Sequence, residues 1–227
     1  MIAAIRWILV AALSIATPHA SSAQGPVSRL PILSDDGSPV LNHRVGPDRI
    51  AAAEKLPGAV VAANPSGDVT LVEFYDLNCP YCRRASNDID ALLRADNKLR
   101  LVLIPFPVLG VPSILAGRVE IAVSKSVTPD QFYAFHRSLY AGRGVIDGQR
   151  ALAAATAMKL DQQKLIDAAN DDGITEIMKS HVRFADTVGL KATPSYLIKD
   201  VAIQGHPGPR SLKAIVASVR ACGKVIC

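Results

Sequence analysis

The chain has 227 residues, 49% hydrophobic and 20% charged, with a formal charge of +5 at neutral pH. Its Lys and Arg residues are scattered among acids and aromatics make up 5% of the chain, a pattern that argues against a nucleic-acid surface. The length and apolar content are enough to bury a substantial core without disulfides for bulk stability.

Met1 to Arg6 carry one positive charge, Trp7 to Ala16 are almost wholly apolar, and Thr17 to Ala23 are small and polar. This three-part layout predicts a secretory signal peptide over residues 1 to 23, with Ser21-Ser22-Ala23 as the cleavage site. The apolar run is about ten residues, roughly half of the ~20 that a spanning helix needs. Cleavage is therefore expected rather than an uncleaved anchor, and no later segment reaches that length without charges. Removing 23 residues from 227 leaves 204, which suits one domain or one domain carrying a large insertion.

Residues 24 to 66 are rich in Gly and Pro and read as an N-terminal arm with one short helix, near Pro47 to Lys55. They lack the apolar repeat of a coiled-coil stalk. Val69 to Tyr75 is a dense apolar and β-branched run, hence a buried strand. The period then changes: Cys82, Ala85, Ile89 and Leu92 or Leu93 share one helical face. Leu99 to Ile104 is a second strand, ended by Pro105 and Pro107. The block from 109 to 188 reads as helical, with helices expected at Ser113 to Lys125, Pro129 to Tyr140, Gln149 to Met158, Asp161 to Asn170 and Thr175 to Val188. Strands follow at Ser195 to Ile198 and Val201 to Gln204, around a turn at Lys199-Asp200. A last amphipathic helix, Ser211 to Ala221, is stopped by Gly223. Setting the helical block aside leaves strand–helix–strand and then strand–strand–helix. That order predicts an α/β, thioredoxin-like fold over residues 67 to 108 and 189 to 227, with an inserted all-helical domain.

Four cysteines stand at 79, 82, 222 and 227. An even number in an exported protein suggests two disulfides, and four cysteines permit three connectivities. The sequence-local pairs, Cys79 with Cys82 and Cys222 with Cys227, are the expected ones, the second as a structural bridge. Cys79-Pro80-Tyr81-Cys82 lies at a strand-to-helix junction. The reactive form of cysteine is the thiolate, and a helix N-terminus offers unpaired N–H groups and the positive end of the macrodipole. Cys79 is therefore expected to be the exposed nucleophile, and Cys82 the more buried partner that resolves a mixed disulfide. Zinc bound by all four cysteines and a purely structural small-loop disulfide are the competing readings; the C-x4-C spacing of the second pair and Pro80 at a helix start count against them. Glu73, in the middle of an apolar strand, is either partly exposed or a buried acid that relays a proton to or from Cys82. Asp76 reads as a loop or capping acid. His43, His136, His181 and His206 are isolated, without metal-ligand spacing, and His136 reads as a surface or packing residue. No phosphate-cradling glycine loop or nucleophile elbow is present. No cofactor and no metal are expected.

Val72-Glu73-Phe74-Tyr75-Asp76 leading into Cys79-Pro80-Tyr81-Cys82 resembles the active-site strand and helix of the DsbA family. Ala192-Thr193-Pro194-Ser195 is similar to that family's cis-proline loop. The resemblance covers about residues 66 to 221, including the helical insertion. It implies that Pro194 is cis and faces the cysteine pair, with Thr193 and its neighbours pairing to an extended substrate peptide. It further implies a periplasmic, monomeric oxidoreductase acting on reduced secreted polypeptides. A membrane redox partner, a DsbB-like oxidase or a DsbD-like reductase, would recharge it. The sequence departs from the strongly oxidising members, which carry Pro-His where this chain has Pro80-Tyr81, and Thr193 matches the DsbC and DsbG relatives. The alternatives are a disulfide isomerase or reductase, a peptide-binding chaperone without catalysis, and a Cu(I) binder using the same thiolates.

Overall fold

The computed structural model describes residues 29–227; the expected signal peptide lies outside them. The most apolar segment of the chain becomes the centre of the sheet. Strand β3 (Val69–Tyr75) runs parallel to β4 (Leu99–Pro105), with Val69 opposite Leu99 and Tyr75 opposite Pro105. On its other side it is antiparallel to β5 (Ser195–Ile198), which pairs in turn with β6 (Val201–Gln204). The edges are β1 (Leu41–Arg44), on β6, and β2 (Val60–Ala63), on β4, giving a six-stranded sheet in the order β1-β6-β5-β3-β4-β2.

A central strand must be apolar on both faces, and β3 is. Val69, Leu71 and Tyr75 face one core cluster, which also holds α2 (Pro80–Ala95) and most of the helical block. Val72 and Phe74 face the other, where α1 (Arg49–Glu54) and the C-terminal part of α7 (Asp172–Thr187) pack. Phe74 and Phe184 stack there with centroids 5.9 Å apart. Between β4 and α7 lie α3 (Val111–Ser124), α4 (Pro129–Ala141), α5 (Gly148–Ala157) and α6 (Gln162–Ala169). Helix α4 opens with a full capping box, Thr128 and Gln131 bonding each other's backbone. The chain ends with α8 (Pro209–Cys222), stopped by Gly223 in the left-handed conformation at φ 76°. No helix among the described residues is long and apolar enough to cross a membrane.

Residues 24 to 66 differ from expectation. The short helix is present as α1, but the segment also supplies both edge strands. Their signals are weak for physical reasons. Leu41-Asn42-His43-Arg44 reads as polar because its one buried residue is Asn42, whose amide bonds the backbone of Leu30 in both directions at 2.8 and 2.9 Å. Val60–Ala63 is four residues long and closely flanked by Pro57-Gly58 and Pro65. Helix α7 begins three residues before the expected Thr175, because Asp171 caps it by accepting from the Gly173 N–H at 2.7 Å.

Candidate active site

Strand β3 ends at Tyr75 and α2 begins at Pro80, so the intervening loop decides where the first cysteine sits. Asp76 fixes that loop. One carboxyl oxygen accepts from the Asn78 N–H at 2.8 Å and the Ser113 hydroxyl at 2.7 Å. The other accepts from the N–H groups of Val108 and Leu109 at 2.8 and 2.9 Å. Asn78 adds a two-way bond to Ile146, donating to its carbonyl and accepting from its N–H, each at 2.8 Å. The loop before the cysteines is thereby tied to β4's exit and to the helical block. Asp76→Ala leaves these donors without their acceptor in a site that is 1% exposed. We expect a loss of about 3 kcal/mol, read as a thermal midpoint lower by roughly 10 °C; a shift within a degree or two would show that the loop holds itself.

Cys79 is the N-cap of α2 and Pro80 its first residue, where a missing N–H costs nothing. The Cys79 N–H donates to the Asp76 carbonyl at 3.0 Å. Its thiol donates to the Thr193 carbonyl at 3.2 Å, and the Thr193–Pro194 peptide is cis. Cys79 is 4% exposed and Cys82 1%. The first cysteine is thus less open than the sequence predicts, because Thr193 lies across it; Tyr81, 58% exposed beside it, carries the Arg84 guanidinium over its ring at 4.8 Å. Both thiols are unbridged.

The two thiols are held in opposite ionisation. A hydrogen bond from Cys82, together with others from Thr193 and the Tyr81 and Cys82 backbone, brings Cys79 down to about 6. These outweigh burial and a carbonyl contact that favours the protonated thiol. Burial pushes Cys82 far up, and its bond to Cys79 and the nearby Glu73 charge push the same way. Glu73 lies on the face of β3 shared with this pair, 3% exposed, and makes no hydrogen bond to any described residue. Burial first, and the Cys79 charge second, raise its carboxyl to about 8.

His136 is buried, with Nδ1 2.8 Å from Glu120 Oε1, and its ring packs edge-on against Tyr75 and Tyr140. It joins α3 to α4. Cys222 and Cys227 form a disulfide with Cα atoms 6.2 Å apart. Arg220, two residues earlier, pairs with Asp68 just before β3, whereas Cys79 follows the other end of that strand. Seven strand residues span about 20 Å, so the bridge and the dithiol lie at opposite ends of the sheet. The cysteines therefore do not come together as a four-sulfur zinc site, and no group of three or more potential ligands is assembled among the described residues.

Asp76 was legible only as a loop acid, and Asn78, Ser113, Tyr140 and Ile146 carried no signal for this site. Arg83, on α2, also locks the facing loop by donating to the carbonyls of Tyr140, at 2.6 Å, and Gly142. Around the dithiol, Val108, Leu109, Val111 and Val145 expose apolar side chains from the very segments that Asp76 and Asn78 tie down.

A dithiol at the N-terminus of the helix that follows the central strand, with a cis-proline loop against it, defines a thioredoxin-fold site. The family described as Thioredoxin matches residues 55–218, and the chain belongs to it. A thioredoxin-like oxidoreductase from Silicibacter pomeroyi is 32% identical, with a TM-score of 0.69 over 78% of this chain and 98% of that one. The thiol-disulfide exchange protein alpha-DsbA2 from Wolbachia pipientis superposes with a TM-score of 0.67 over 76% of this chain and 94% of that one, at 21% identity. Disulfide bond formation protein D of Bacillus subtilis is 24% identical over 75% of this chain and 81% of its own length. The fold is the DsbA-like form of the thioredoxin architecture. Three further curated relatives are Na(+)/H(+) antiporters, of whose length the chain spans about a quarter.

Proposed function

We propose that this protein is an exported thiol–disulfide oxidoreductase that introduces or exchanges disulfides in secreted polypeptides through Cys79 and Cys82. The observation that carries the reading is the placement of the pair: Cys79 caps α2 with its sulfur 3.2 Å from the carbonyl of the cis Thr193–Pro194 peptide, and Cys82 lies buried one turn further in. A Cys79 titrating at about 6 is a thiolate at neutral pH and both a good nucleophile and a good leaving group. Cys82, enclosed behind it, stays protonated until its attack is needed.

In the oxidising direction a client thiolate attacks Cys79 Sγ. The Cys79–Cys82 bond breaks, and Cys82 leaves with the electron pair and takes a proton from Glu73. A second client thiolate attacks the client sulfur of the mixed disulfide and releases Cys79 as its stabilised thiolate. The client loses two electrons and the dithiol gains them. The Thr193–Pro194 loop against Cys79 and the apolar side chains of Val108, Leu109, Val111 and Val145 suit an extended, unfolded chain as client. Export is inferred from the layout of residues 1 to 23, and recharging from a membrane partner, a DsbB-like oxidase or a DsbD-like reductase. The purified protein is expected to be a monomer that oxidises a reduced two-cysteine peptide faster than it reshuffles a scrambled one. A stable dimer with the reverse preference would make it an isomerase; peptide binding without turnover would make it a chaperone.

A further inference from the structure

Glu73 is enclosed, yet the reading above requires it to gain and lose a proton in every cycle. Its neighbour across the sheet is Tyr196, directly opposite on β5. Opposed residues of antiparallel strands place their side chains on one face, with Cβ atoms about 4.5–5.5 Å apart, and Tyr196 indeed belongs to the cluster that holds Cys79 and Cys82. Its ring is fully buried, but its hydroxyl lies 2.9 Å from His206 Nδ1 in the β6–α8 turn. His206 Nε2 lies 3.1 Å from Asp88 Oδ2 on α2. Exposure rises along this line, from 0% at Tyr196 to 10% for the His206 side chain and 35% for that of Asp88.

We propose that Tyr196, His206 and Asp88 carry the Glu73 proton between the buried dithiol and solvent. The inference rests on the dithiol reading and deepens it. A carboxylate only accepts, so Nε2 donates to Asp88 and the Nδ1 of a neutral ring accepts the Tyr196 hydroxyl. Burial pushes His206 below its ordinary value, against the pull of Asp88, which keeps that acceptor available. The other charges facing this ring are Arg84 on α2 and Asp35 in the N-terminal segment, and Tyr196 feels Glu73, Cys82, Asp88 and Cys79. When Cys82 attacks Cys79 Sγ in a mixed disulfide, the Cys82 proton passes to Glu73, the Cys79–Cys82 bond forms, and the client sulfur leaves with its electron pair. The carboxyl, held by no hydrogen bond, turns to Tyr196 and donates as Tyr196 donates to Nδ1. His206 then sheds its Nε2 proton to Asp88 and water. In the oxidising direction the same protons run inward to the leaving Cys82. These residues act through Glu73 and touch no client.

The same contacts would also pin the β6–α8 turn, so the test needs a readout that a structural role does not move. His206→Gln keeps a hydrogen-bonding side chain that cannot cycle a proton, and Tyr196→Phe keeps the buried ring. Single-turnover release of a peptide from its mixed disulfide with Cys79 is measured from about pH 5 to 9. Each variant should slow release about tenfold and flatten its pH profile, with Cys79 alkylation unchanged and imidazole restoring His206→Gln. In a Glu73→Gln background neither should slow it further. An unchanged pH profile in both variants, or an equal loss in the Glu73→Gln background, would overturn the relay while the dithiol reading stood. No release by the unmodified protein would sink both.

Discussion

Cys79→Ser should reduce thiol–disulfide exchange to background, a loss of at least about a thousandfold, whereas Cys82→Ser should accumulate mixed disulfides at Cys79. The asymmetry follows from the ionisation of the pair. Cys79 titrates at about 6 at the head of α2, so it is expected to be both the sulfur that is attacked and the sulfur that attacks. Removing Cys82 leaves that attack intact and abolishes intramolecular release. Mass spectrometry of each variant after incubation with a disulfide-bonded peptide reads the outcome directly. Equal adduct formation at either cysteine, or a mixed disulfide carried by Cys82 in the Cys79→Ser protein, would reverse the assignment.

The second large effect is on stability. Glu73 titrates near 4.5 in an unfolded chain and at about 8 in the reduced fold. The unfolded chain therefore releases a proton that the native state keeps, and native stability falls as pH rises from below 4.5 through about 8. At about 1.4 kcal/mol per pH unit between those values, the penalty approaches about 4 kcal/mol at pH 8. Glu73→Gln removes the titration while keeping the shape. The variant should be more stable than the unmodified reduced protein by about 3 kcal/mol at pH 7 and by more at pH 8, with the gain gone below pH 4.5. Denaturant midpoints across that range check it; a variant destabilised at pH 8 would mean that Glu73 is ionised and held by partners. A buried carboxyl with a cost of this kind is what a site tuned for proton transfer is expected to carry.

The parts of the fold legible in the sequence are those whose signals are local. Val69–Tyr75 announces a central strand by being apolar at both parities, and Cys79-Pro80 at its exit announces a helix start. Glu73 stands out because six apolar or β-branched neighbours make a charge there costly. What stayed hidden depends on distant partners. Asp76 organises groups 32 to 37 residues away, and Asn78 reaches Ile146 across 68 residues, so Asp76 was visible only as a loop or capping acid. His206 reads as isolated because Asp88 and Tyr196 reach it from other elements. The edge strands were missed for the opposite reason: a strand paired on one side needs little apolar periodicity, and β1 buries an asparagine.

The equilibrium reduction potential of the Cys79–Cys82 couple tests the account most directly. Stabilising the Cys79 thiolate stabilises the reduced form and makes the disulfide the better oxidant. A nucleophile at about 6 falls between thioredoxin, near about 7, and DsbA, near about 3.5. The potential is therefore expected between about −270 and −120 mV, measured against glutathione. A reversible two-electron couple in that interval is the predicted result. A value more reducing than about −270 mV, or no reversible bond between Cys79 and Cys82, would contradict it.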